Sequence, residues 1–163
     1  MPLDKSLLQT ELDDVYSKNS PPALVANGVA KALVNYWNMG TAGTDGIITA
    51  APAQSLISSG LNGVWSSFQP GPSVAASQIA TQITSGFMTI AISGPTFGTG
   101  NVIFADQAGL QVALNDIFSS NPPSSKIFAN KFATAIDNYT KAAIVFGTGV
   151  PTTFPPVPSA SIT

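Results

Sequence analysis

The chain has 163 residues, enough for one domain with a substantial core. It carries 6 basic and 8 acidic residues, every basic one a lysine, and no arginine, histidine or cysteine. Those absences remove the electrostatic basis of nucleic-acid binding, the usual ligands of zinc and haem, and any disulfide framework.

Asp4 or Ser6 is placed to cap a first helix that runs to about Lys18. Leu8, Leu12, Val15 and Tyr16 fall on one face of it, and Glu11, Asp13 and Asp14 on the wet face. Asn19-Ser20-Pro21-Pro22 predicts a turn, and proline suits the first turn of the next helix, where its missing N–H costs nothing. That helix presents Leu24, Val25, Val29, Ala32, Leu33 and Tyr36, and ends near Trp37 because Gly40, Gly43 and Gly46 follow. Gly46-Ile-Ile-Thr-Ala predicts a short strand, and Pro52 opens a third helix with Ile57, Leu61, Val64 and Trp65 on its apolar face. Beyond Pro70-Gly71-Pro72, a fourth helix presents Val74, Ala75, Ile79, Ile83 and Phe87, and weakens at Gly86.

Met88-Thr-Ile-Ala-Ile-Ser is partly alternating and β-branched, which predicts a strand. The turn Gly94-Pro-Thr-Phe-Gly-Thr-Gly and a returning strand Asn101-Val-Ile-Phe complete the best hairpin candidate in the chain. Asp106 caps a fifth helix bearing Leu110, Leu114, Ile117 and Phe118, which Pro122-Pro123 stops. The sixth helix presents Ile127, Phe128, Phe132, Ala135, Ile136 and Tyr139, and Ala142-Ala-Ile-Val-Phe follows as a strand. From Pro151 onward Thr, Pro and Ser dominate, which predicts an extended or disordered tail unless a neighbour holds it.

The same order of residues recurs through the chain. Leu8 to Tyr36 and Leu110 to Tyr139 match almost position by position, down to Ala26-Asn27 against Ala129-Asn130 and Asn35-Tyr36 against Asn138-Tyr139. A weaker middle copy, Ile57 to Phe87, has Gly86 in place of the tyrosine. A period of about fifty residues reports a repeated supersecondary unit. The expected fold is therefore mainly α, of α+β type. Three tandem helix-turn-helix modules (about 4–50, 51–104 and 105–150) share one domain over residues 1–150, each followed by short strands, with 151–163 as an extended Pro/Ser/Thr tail.

Between Gly46 and Ala105 there is no charged residue. Soluble surfaces are ordinarily covered with Lys, Glu, Asp and Arg, so this stretch points to surface covered by another subunit, or else to an exposed face rich in Ser, Thr, Asn and Gln. Membrane insertion explains it poorly, because the apolar runs fall short of the roughly 20 residues a spanning helix needs. The opening Met-Pro-Leu-Asp-Lys has no apolar core, so no signal peptide is expected there.

Chemistry-bearing constellations are sparse. Glu11, Asp13 and Asp14 form the only acidic cluster and read as a solvated helix face rather than a general acid–base site. A Ser-His-Asp or Cys-His arrangement is impossible without histidine. Ser124, Ser125 and Lys126 allow a Ser-Lys nucleophile on paper, but serines at a helix start after two prolines read better as caps. Gly98-Thr-Gly and Gly147-Thr-Gly lack the Gly-Lys-Ser/Thr ending of a phosphate loop and read as turns. Asn138-Tyr-Thr matches a glycosylation acceptor but lies in a predicted helix end. Tyr16, Trp65 and Phe118 share one repeat position, which suits core packing. Asn27 and Asn130, with Ser77 between, either tie each hairpin to its turn or lie exposed. No catalytic, cofactor-binding or metal-ligating residue is assigned.

Phe132-Ala-Thr-Ala-Ile-Asp-Asn-Tyr-Thr-Lys-Ala-Ala-Ile-Val-Phe-Gly-Thr-Gly-Val-Pro and the Pro/Ser/Thr tail resemble the ending of small structural proteins of tailed bacteriophages. Those carry one helical hairpin, a short strand and a Gly/Pro-rich tail. The likeness covers about a third of the chain directly and the rest through the internal repeat. It implies a virion component of the tail, neck, baseplate or capsid decoration, self-associating and contacting other virion proteins, with no enzymatic activity, cofactor, small-molecule substrate, nucleic acid or membrane. The alternative is a secreted or surface adhesion module that recognises a glycan or protein through Trp37, Trp65 and Phe68.

Overall fold

The computed structural model describes residues 3–43, 45–67, 71–148 and 160–163. Its elements follow one order: α1 (Lys5–Ser17), α2 (Pro22–Asn38), β1 (Thr41–Ala42), β2 (Gly46–Thr49), α3 (Ala51–Ser66), α4 (Pro72–Phe87), β3 (Ala91–Gly94), β4 (Gly98–Phe104), α5 (Gln107–Ser120), α6 (Ser125–Lys141), β5 (Ile144–Gly147) and β6 (Ala160–Ser161). The protein is mainly helical with a small antiparallel sheet.

The helix starts follow local chemistry. Asp4 accepts from the backbone N–H groups of Ser6 and Leu7, Asp106 from that of Gly109, and the Ser124 hydroxyl from that of Ile127. Bonds from the Ser6 hydroxyl and then from those two N–H groups hold the Asp4 carboxyl below its usual range. Proline opens α2, α3 and α4 in the first turn. Asn19 and Asn121, just after α1 and α5, take left-handed φ values of 46° and 43°, a conformation asparagine tolerates better than most residues.

Each helix packs on the next in sequence, and α6 returns to pack on α1, so the six helices close into a ring. The sheet closes as well. Its order is β1-β2-β3-β4-β5-β6 with every neighbouring pair antiparallel, and a bridge from Ala42 to Ile162 joins the last strand back to the first. The Thr163 backbone N–H and hydroxyl both donate to the Thr41 carbonyl, at 3.2 and 3.3 Å. Six side chains fill the interior in facing pairs, Ile48 with Ile92, Val102 with Val145 and Ala42 with Ile162, all 3% exposed or less. A barrel this narrow has room for side chains and no lumen.

Three expectations need correction. The strand expected from Met88 begins only at Ala91, because the N–H groups of Met88, Thr89 and Ile90 are taken by the carbonyls of Thr84, Gly86 and Phe87 at the end of α4. In the same way Ala142 and Ala143 bond back to Asn138 and Thr140, so β5 begins at Ile144. The tail lies mostly outside the described residues, and its last four are held by the chain's own β5 and β1 rather than by a neighbour. Gly86 lies inside α4, which runs on to Phe87, and Ile57 occupies the space a side chain at Gly86 would need.

Close backbone approach leaves no room for a side chain at several glycines of the sheet, Gly100 being the tightest. A Cβ on Gly100 would overlap the Phe146 carbonyl across the β4–β5 ladder, so Gly100→Ala should cost about 1–3 kcal/mol by overpacking. Gly63, exposed within α3, has nothing within 4 Å of the same position, so Gly63→Ala should gain about 0.5–1 kcal/mol. Urea denaturation of the two variants checks both signs.

Candidate functional site

The polar interior lies where α2, α4 and α6 converge. Trp37, Phe87 and Thr140 meet there, all fully buried, with Trp37 and Phe87 ring centroids 4.8 Å apart and the indole N–H donating to the Thr140 hydroxyl at 3.0 Å. One turn away the Tyr36 hydroxyl donates to Asp137 at 2.5 Å, and Asp137 also accepts from Lys141 at 3.0 Å. The Tyr139 hydroxyl donates to Thr84 at 2.9 Å. Burial, then the bond and charge of Asp137, push the Tyr36 phenol far up; burial raises Tyr139, an effect the Thr84 bond opposes and the charge of Asp106 reinforces. Each polar group in this region meets a partner, so the arrangement fixes the helices relative to one another.

Trp37 is thus a core residue, which removes it from any exposed aromatic patch. Its burial depends on α4 and α6, distant in sequence. Trp65 is partly buried against the core, and Phe68 lies outside the described residues. Tyr16 packs edge-on to Phe128 at 4.6 Å, and Phe118 stacks on the same ring at 6.0 Å, in line with the core reading of that repeat position.

The acidic cluster does not converge. Asp14 pairs with Lys18 at 2.5 Å on the surface, Asp13 accepts from the Ser125 hydroxyl of α6 at 2.7 Å, and Glu11 accepts from Asn35 of α2 at 3.0 Å. Glu11 was expected on the wet face, but the packing of α2 over α1 partly buries it and leaves its Oε2 buried without a protein partner. It borders a groove of about 550 Å³ between α1 and α2, floored by Val15, Val25 and Ala32. Ser124 caps α6 as expected. Among the described residues no group of three acidic side chains gathers to hold a metal ion, and no helix is long and apolar enough to cross a membrane.

Asn27 and Asn130 both lie exposed, as the second alternative had it, and bond to neighbouring helices rather than to their own turns. Asn27 accepts from Gln54 of α3 at 3.4 Å, and Asn130 donates to Gln9 of α1 at 2.9 Å. Related bonds run from Lys5 to Thr134 of α6 at 3.5 Å and from Gln107 to Thr81 of α4 at 3.1 Å. Lys5, Gln54 and Gln107 all lie in the first turns of α1, α3 and α5, and each reaches the helix that closes the preceding pair.

The outer surface is divided by charge. Neither α3, α4 nor any strand contains a charged residue. These elements bear exposed Leu56, Val74, Ile47, Ile103, Phe104 and Ile144, with Phe104 and Ile144 directly paired across β4 and β5, while exposed Leu24 and Val112 lie on the charge-bearing α2 and α5. Asp45, in the β1–β2 turn, accepts from the backbone N–H groups of Thr96 and Phe97 at 2.5 and 3.0 Å and so locks that turn to the β3–β4 turn. The uncharged run from Gly46 to Ala105 marked this surface in the sequence, and the fold adds which of its side chains point outward. No protein family, curated protein or solved structure matches the chain.

Proposed function

We propose that this chain is a non-enzymatic structural subunit of a bacteriophage particle, of the tail, neck, baseplate or capsid decoration. It acts through contacts with copies of itself and with other virion proteins. The observation that carries the reading is the absence of charge from α3, α4 and the strands, together with the exposed aliphatic and aromatic side chains they bear. A contact face of this composition excludes water at about 25 cal/mol per Å² of apolar area and needs no charge partner. The resemblance of the third helical pair and its tail to virion proteins supplies the setting.

The reading includes three tandem modules, each a helical pair followed by two strands. Its support is the element order, the equivalent contacts of Lys5, Gln54 and Gln107, and the facing pairs Ile48–Ile92, Val102–Val145 and Ala42–Ile162. One chain then offers threefold shape to its surroundings, with the middle third distinguished by its lack of charge.

Light scattering over a range of concentration and salt tests the reading. A defined oligomer should persist at about 1 M salt, where the screening length falls to about 3 Å, and the double variant Leu56→Glu/Val74→Glu should return it to monomer. A clean monomer at every concentration and salt would remove self-association from the reading.

A further inference from the structure

The strands differ in how tightly their connections dictate their partners. Residues 43–45 join β1 to β2 and residues 95–97 join β3 to β4, while β2 and β4 lead directly into α3 and α5. A link of three residues spans at most about 10 Å, so those hairpins close within one chain. β6 is different, because residues 148–159 separate it from β5. Twelve residues reach up to about 40 Å, farther than the gap between adjacent strands by several-fold.

The last four residues complete the barrel. Ser161 pairs with Ile144, Ala160 with Val145 and Ile162 with Ala42, and Thr163 donates twice to the Thr41 carbonyl. Ile162, 1% exposed, fills the interior opposite Ala42. Without these residues β5 and β1 would be free edges flanking a slot shaped for one short strand.

We propose that this slot takes the C-terminal strand of a second copy, so that residues 160–163 are exchanged between subunits and each barrel is closed by its neighbour. The inference rests on the self-assembly reading above for its occupant, and on the barrel itself for the slot. The exchanged strand makes in trans every contact it makes in cis, so exchange forfeits only the proximity that the connection supplies. At the local concentration of an assembled particle that loss is small. The apolar face of α3 and α4 holds subunits together, and the exchanged strand makes the union hard to reverse.

Because the chain has no cysteine, a single engineered pair reports the pairing cleanly. Facing residues in an antiparallel pair have Cα atoms about 4.5–5.5 Å apart, within disulfide reach. The single variants Ala42→Cys and Ile162→Cys are mixed at the concentration where light scattering gives the oligomer, oxidised, and separated under denaturing, non-reducing conditions. Exchange predicts a covalent heterodimer of the two variants, and a covalent ladder from the double variant Ala42→Cys/Ile162→Cys. The control pair Ile48→Cys/Ile92→Cys, whose strands are tied in cis, should give internal cross-links only.

A double variant that cross-links only within itself, together with no heterodimer in the mixture, overturns exchange. If the oligomer persists in that case, self-assembly stands and exchange alone fails. If no oligomer forms at any concentration, both fail. Should Ile162→Cys not fold, Ser161→Cys with Ile144→Cys probes the same pairing on the other side of β6.

Discussion

Trp37→Ala should bring the protein close to the limit of stability. Trp37 is fully buried where α2, α4 and α6 meet, with Phe87 on its ring and Thr140 on its N–H. Truncation opens a cavity worth about 3–5 kcal/mol and leaves the Thr140 hydroxyl buried without its donor, about 1–3 kcal/mol more. A domain holds about 5–15 kcal/mol in total. At roughly 2–4 °C per kcal/mol the midpoint of thermal unfolding should fall by about 8–32 °C. Trp37→Phe, which keeps a ring against Phe87, should cost less than half as much. Thr140→Val orphans the indole N–H, and adding it to Trp37→Phe should cost less than the sum of the single changes, since both polar partners are then gone. Trp65→Ala is the contrast: that ring is only partly buried and should be replaced more cheaply. A loss below about 1 kcal/mol for Trp37→Ala would mean the helices do not converge on this residue.

Alkaline unfolding should be cooperative and should carry all three tyrosines with it. Tyr16, Tyr36 and Tyr139 are the only tyrosines, and each phenol is raised well above its ordinary value near 10, first of all by burial. The fold favours the protonated form, so its contribution is fully present below the unfolded value near 10 and is lost as pH rises beyond it toward the folded values. Each phenol that ionises only on unfolding lowers stability by about 1.4 kcal/mol per pH unit above that point, and three together by about 4. Tyrosinate absorbance should therefore appear in one step coincident with loss of helical circular dichroism. A tyrosine ionising near its ordinary value in a chain that is still helical would contradict the burial of its hydroxyl. Substitutions separate the three. Tyr36→Phe should destabilise by leaving Asp137 Oδ1 without its donor, while Tyr16→Phe should be neutral or stabilising, because that hydroxyl is buried with no partner to lose.

The helices were legible because their determinants are local. Three- and four-residue spacing, the caps at Asp4, Asp106 and Ser124, and the proline pairs all act within a turn or two of where they stand. The strands were legible only where they carry β-branched residues of their own, as in Gly46–Thr49 and Ile144–Gly147. Thr41–Ala42 and Ala160–Ser161 are two residues each, in glycine- and proline-rich surroundings, and become strands only because partners from elsewhere supply the ladder. Trp37 illustrates the same division for the candidate site. Its position at a helix end beside Asn38 and Gly40 reads as exposed, yet the sequence held a signal in the repeat, which aligns it with Phe87. Glu11 is the converse case: helical phase put it among solvated acids, and only the packing of α2 over α1 brings it to Asn35.

The circular closure of helices and strands also governs the order of folding. Each helical pair and each tight hairpin brings together residues close in sequence, and such contacts form in microseconds. The contacts that close the ring join residues a hundred positions apart or more, as from Tyr36 to Asp137 and from Ala42 to Ile162. During synthesis the first helical pair and the strands after it are complete long before α6 and residues 160–163 exist. The growing chain therefore carries an unfinished apolar interior until residues 160–163 have been made, and closure of the ring is a late step.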